Sequence, residues 1–178
     1  VKSEPPEESL HEIIQVGIFA AHRTIVRDAI GGGTTFTVAL VMGDQLIVAH
    51  VGDSRAYVIY PDGSMRLLTR DHSMVKRLEE LGQITAAEAA THPQRNVLYR
   101  ALGQGETFEP EINTFPIPAG GYIMLCSDGL WGYVSEPQIQ QIIKDAPHPE
   151  LACHAMVEAA NAAGGPDNIT VVLIRFPG

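Results

Sequence analysis

From about Glu7 to Ile30, the apolar residues Leu10, Ile14, Ala21 and Ile25 return at the interval of a helix with one buried stripe. Pro5, Pro6, Glu7 and Glu8 supply the chemistry of its start, and Gly31 to Gly33 stop the pattern. The period then changes. Thr34 to Met42, Gln45 to Val51, Arg55 to Tyr60 and Met65 to Thr69 are rich in strand formers, with turn residues Gly43-Asp44 and Pro61-Asp62-Gly63 between them. These four runs predict an antiparallel meander. Short helices follow, Met74 to Leu81 and a second opened by Thr85 and Glu88 in capping-box spacing and ended by His92-Pro93. A strand pair is predicted for Glu109 to Ile117 and Tyr122 to Cys126, turned by Pro118-Ala119-Gly120-Gly121. Ser135 and Gln138 box a helix reaching about Lys144, Pro149 opens another to Ala163, and Ile169 to Arg175 closes as an apolar strand. The pattern predicts an α+β layered domain with mainly antiparallel sheets.

A chain of 178 residues can bury roughly two thirds of its unfolded surface in one core without disulfide staples. Its net charge of −9 and the lack of any Lys/Arg-rich run argue against nucleic acid as a partner. Cys126 and Cys153 lack metal-ligand spacing and read as core residues in a reducing, cytoplasmic setting. The longest apolar run, around Phe36 to Met42, falls far short of the ~20 residues of a membrane-spanning helix, and the acidic start is unlike a signal peptide. Val1 to Ser9 reads as a linker, as though the chain were a piece of a longer one.

Three aspartates stand at strand-to-loop junctions: Asp53 in Gly52-Asp53-Ser54-Arg55, Asp128 in Ser127-Asp128-Gly129-Leu130-Trp131, and Asp167 in Gly165-Pro166-Asp167-Asn168-Ile169-Thr170. Short carboxylates beside glycine or proline suit a hard cation, Mg2+ or Mn2+, which keeps several waters. Such an ion lowers the pKa of a bound water and offsets phosphoryl charge, so the expected chemistry is phosphoester hydrolysis. Each segment alone is equally good turn chemistry; the force of the reading lies in their combination and order. An unrelated Ca2+-binding β-domain would need longer acidic loops.

Together with Gly33-Thr34-Thr35, His50-Val51-Gly52-Asp53-Ser54-Arg55 and Leu68-Thr69-Arg70-Asp71-His72-Ser73, these segments resemble the protein phosphatase 2C family of metal-dependent Ser/Thr phosphatases, from Glu7 onward. The stretch from Glu79-Glu80-Leu81-Gly82 through His92-Pro93-Gln94-Arg95-Asn96-Val97-Leu98 is similar to the flap of stand-alone bacterial members, which oppose eukaryote-like kinases. The resemblance implies a β-sandwich flanked by helices, with 1–178 as one domain, 71–103 as its flap, and two or three Mn2+ or Mg2+ ions in a complete domain. Asp128 and Asp167 would hold the first ion and Asp53 with Asp128 a weaker one, with Asn168 supporting Asp167. Metal-bound water would hydrolyse phosphoserine and phosphothreonine on proteins. Arg55 would brace its loop, and Trp131 would fill the core behind Asp128.

The family's early arginine, its acidic residue and its Asp-Gly-x-Gly-Gly segment, whose aspartate bridges two metals, do not occur in this sequence. Gly31 to Gly33 belong to the Gly-Thr-Thr motif instead. The expectation is an impaired catalyst with open sheet edges, inclined to a strand-paired or swapped oligomer. The alternative is a catalytically inactive interaction module of the same fold. His72 and His92 are candidates for phosphate contact or proton donation, His92 on the substrate side, against loop-stabilising roles for both. Arg95 and Arg100 could attract a phosphopeptide or form solvated faces. Thr34 and Thr35 favour strand geometry.

Overall fold

The computed structural model describes residues 7–105 and 109–178. Among them, α1 (Glu7–Asp28) forms the first predicted helix, with Ile18 and His22 buried on the stripe that Leu10, Ile14, Ala21 and Ile25 begin. Pro5 and Pro6 lie outside the described residues. The strands are β1 (Phe36–Met42), β2 (Gln45–Val51), β3 (Arg55–Ile59), β4 (Met65–Leu67), β5 (Glu111–Pro116), β6 (Tyr122–Cys126) and β7 (Val171–Arg175). The remaining helices are α2 (Met74–Glu80), α3 (Ala86–Thr91), α4 (Asp128–Trp131), α5 (Glu136–Asp145) and α6 (Pro149–Ala162).

Two sheets form, ordered β1-β2-β5 and β4-β3-β6-β7. This corrects two expectations. The first four strands are not one meander, because the chain changes sheet between β2 and β3 at Gly52-Asp53-Ser54. Nor do β5 and β6 pair: β5 joins β2, whereas β6 runs antiparallel between β3 and β7. Strand propensity decides that a segment is extended, but its neighbour is chosen by non-local burial. The run predicted to Thr69 ends at Leu67 because the Thr69 hydroxyl accepts the Ala56 amide at 3.1 Å, replacing a main-chain rung.

The described residues divide into two compact units, those within 1–36, 49–52 and 72–113, and those within 37–48, 53–71 and 114–178. In the first, the Gly103 amide donates to His22 Nδ1 at 3.1 Å, and Thr34 forms a bridge with Leu102. The Thr85–Glu88 capping box closes as the sequence predicts. In the second, Leu46 and Val48 pack with Ala56, Ile123 and Phe176 on one side of the larger sheet. On its other side Tyr57, Met124 and Cys126 meet Ile139, Ile143, Ala152, Met156 and Ala160 of α5 and α6. Alternation along β3 and β6 makes both faces apolar.

Candidate metal centre

Register delivers the three aspartates to one end of the larger sheet. Arg55 opposes Cys126, and Cys126 opposes Val171. Asp53 therefore precedes the rung at which β3 begins, Asp128 follows the one at which β6 ends, and Asp167 lies in the loop leading to β7.

Asp53 is buried, Asp128 half-buried and Asp167 exposed, so the cluster opens toward solvent on the Asp167 side. Burial, then the charges of Asp128 and Asp71, push the Asp53 carboxyl up to about 6. Burial, then the charge of Asp167, also raises Asp128 above the usual carboxylate range. Asp128 is thus the shared neighbour of two carboxylate pairs. Among the described residues, no three metal-ligating side chains close around one ion. Anionic oxygens whose ionisation is opposed by burial and by one another fit a divalent cation: its charge would relieve the repulsion that raises them.

The Asp128 and Asp167 loops are joined tightly. The Ser127 hydroxyl donates to the Asn168 carbonyl at 3.0 Å and accepts the Thr170 amide at 3.0 Å, while the Ser127 amide donates to the Thr170 carbonyl at 3.1 Å. The Asn168 amide donates to Asp167 Oδ1 at 2.7 Å, so the support near Asp167 comes from the main chain of Asn168. A Cβ on Gly129 would clash with the Asn168 carbonyl oxygen. Gly129→Ala is therefore expected to destabilise the fold by about 2 kcal/mol through overpacking, read as a lower urea midpoint. An unchanged midpoint would contradict this close approach.

Arg55 braces its loop. It forms two bonds to Asp71, at 2.9 and 2.6 Å, and one to the Tyr57 hydroxyl at 3.0 Å. This planar fork ties up Asp71, which stands near Asp53. Trp131 packs beside the core, but its Nε1 also donates to the Asp53 carbonyl at 2.9 Å. Neither the Ser127 staple nor the Gly129 approach is marked by residue type alone: both depend on which loops meet.

The histidines have local partners. His72 is fully buried; its Nδ1 accepts the Gly52 amide at 3.0 Å, which places the proton on Nε2, 3.2 Å from Glu111 Oε1. His50, stacked 5.0 Å from it, points Nε2 at the Gly52 carbonyl at 3.0 Å. These contacts give His72 its loop-stabilising role. His92 ends α3, half-buried, with Nδ1 accepting the Gln94 amide at 3.1 Å. Arg100 donates to the Glu109 carbonyl at 2.7 Å, and Arg95 is exposed.

Comparison with known proteins shows the family of the chain. The protein phosphatase 2C family model matches residues 8–169. The chain is 40% identical over 151 residues to the serine/threonine phosphatase stp of Listeria innocua, covering 83% of this chain and 58% of that protein. It thus spans little more than half the length of that relative. The structure of the Streptococcus agalactiae serine/threonine phosphatase superposes with a TM-score of 0.92 at 33% identity, over 99% of this chain and 74% of that one. The catalytic domain of the serine threonine protein phosphatase PstP, solved in complex with two manganese ions, superposes with a TM-score of 0.79 at 34% identity, over 96% of this chain and 73% of that one. The chain belongs to the protein phosphatase 2C family.

Proposed function

We propose that this chain serves the metal-dependent hydrolysis of phosphoserine and phosphothreonine on proteins, with Asp53, Asp128 and Asp167 as the metal-ligating residues. The observation that carries the reading is the pairing of Asp128 with both Asp53 and Asp167 at one sheet end. When bound, Mn2+ or Mg2+ would supply an acidified water and offset charge on a phosphoryl oxygen.

The protein's own part is to hold the carboxylates. Asp128 stands at the first position of α4, Ser127 ties it to the Asp167 loop, and Arg55 keeps Asp71 engaged. A phosphorylated side chain would approach from the exposed Asp167 side. Residues 71–103 are the proposed flap, with His92 as the candidate substrate-side residue and substrates drawn from those of a eukaryote-like kinase. We place the protein in the cytoplasm, in keeping with the free thiols of Cys126 and Cys153; no described helix is long and apolar enough to cross a membrane.

The test is hydrolysis of a phosphothreonine peptide in Mn2+, by this chain and by its gene's whole product where that is longer. Turnover abolished by a chelator is the expected result. Absence of turnover in both, or turnover indifferent to chelator, overturns the proposal. Mn2+ binding without turnover favours the interaction-module alternative.

A further inference from the structure

The molecule contains two separate devices for spacing its carboxylates. Ser127 and the bare Cα of Gly129 set the approach of the Asp128 and Asp167 loops. Neither reaches Asp53, which belongs to the loop entering β3. What links Asp53 to Asp128 is α4, a single helical turn with Asp128 at its start and Trp131 at its end.

We propose that Trp131 is a positioning residue for the Asp53–Asp128 cation pair, gripping the Asp53 main chain through its indole N–H while its own helix carries Asp128. The proposal rests on the metal-site reading above. Indole has one donor and no acceptor, so the 2.9 Å bond from Nε1 to the Asp53 carbonyl fixes the direction of the ring. The face of the ring is covered by the Arg55 guanidinium, 3.6 Å from its centroid. Arg55 is fixed in turn by its fork to Asp71 and by the Tyr57 hydroxyl. One peptide further along, the Thr37 hydroxyl donates to the Ser54 carbonyl at 3.3 Å. The indole N–H holds the Asp53 carbonyl and the Thr37 hydroxyl the next one, so a shift of the indole would move one member of the pair against the other. A tryptophan that only filled space would have no reason to affect one carboxylate pair and spare the second.

The experiment uses Mn2+ alone as probe. Trp131 is the chain's sole tryptophan, and paramagnetic Mn2+ quenches indole fluorescence at short range, so occupancy beside Asp53 is read without any substitution. Calorimetry on the wild type is expected to resolve two binding steps. The step lost in Asp53→Asn should coincide with Trp131 quenching. Trp131→Phe keeps an aromatic face for Arg55 but removes the donor; it is expected to weaken that step at least about tenfold and leave the other within about twofold. Arg55→Lys keeps the charge and the fluorophore but loses the fork, and is expected to weaken the same step by about fivefold.

A folded Trp131→Phe that changes neither step, or both equally, overturns the proposal. If that variant does not fold, Arg55→Lys decides by the same criterion. A wild type that binds no Mn2+, or whose binding survives Asp128→Asn, removes the metal-site reading itself, whereas intact binding indifferent to Trp131 removes only the positioning role.

Discussion

Asp128→Asn is expected to weaken both Mn2+ binding steps together, each by at least about 100-fold, because one carboxylate serves two pairs. Hydrogen-bond partners behind a metal ligand are commonly worth 10–100-fold in affinity, and a direct anionic ligand contributes at least the upper end of that range. Asp128 is charged-neighbour to Asp167 on one side and to Asp53 on the other. Asn keeps the size of the side chain and leaves the main-chain contacts of Ser127 in place. The loss should therefore occur without unfolding, with the urea midpoint of the metal-free protein unchanged or raised. Calorimetry with Mn2+ measures it; survival of either step at wild-type affinity would show that Asp128 is not shared.

Asp53→Asn is expected to stabilise the metal-free protein at pH 7.5. Burial and the neighbouring charges raise this carboxyl from 3.8 to about 6 in the fold, a difference worth about 3 kcal/mol when the group is fully ionised. The sign follows from proton binding. Between the unfolded value near 4 and the folded value near 6, the native state holds the proton more tightly, so wild-type stability falls as pH rises through that window. The whole penalty is present above about pH 7, and almost none of it below pH 4. The variant lacks the penalty, so its advantage in urea should grow from near zero at pH 4 to about 3 kcal/mol at pH 7.5. Mn2+ at about 1,000 times the Kd of the step that needs Asp53 should reverse the order, since occupancy of that step then adds about 4.1 kcal/mol that the variant lacks. A pH-independent difference between the two proteins would sink the argument.

Features determined by neighbouring residues were legible in the sequence. Thr85 with Glu88 and Ser135 with Gln138 form capping boxes where their spacing predicts them, because a cap is satisfied within one turn. Pro61-Asp62-Gly63 turns β3 into β4, with Asp62 accepting the Ser64 amide and hydroxyl. Sheet membership was not legible. β2 and β3 follow each other directly yet lie in different sheets, as do β5 and β6. Any two extended segments can pair, and the choice depends on which faces can be buried together. The four-residue helix from Asp128 to Trp131 also escaped prediction: it is too short for a periodic pattern to appear.

The same division runs through the site. Residue type alone put Asp53, Asp128 and Asp167 at strand ends, since aspartate beside glycine or proline ends a strand wherever it falls. Only the ladder placing Arg55 opposite Cys126, and Cys126 opposite Val171, brought those ends to the same edge. Tertiary structure alone chose Trp131 as the holder of Asp53 and required a bare Cα at Gly129. Those contacts join loops far apart along the chain, and no local preference encodes which loop will be the neighbour.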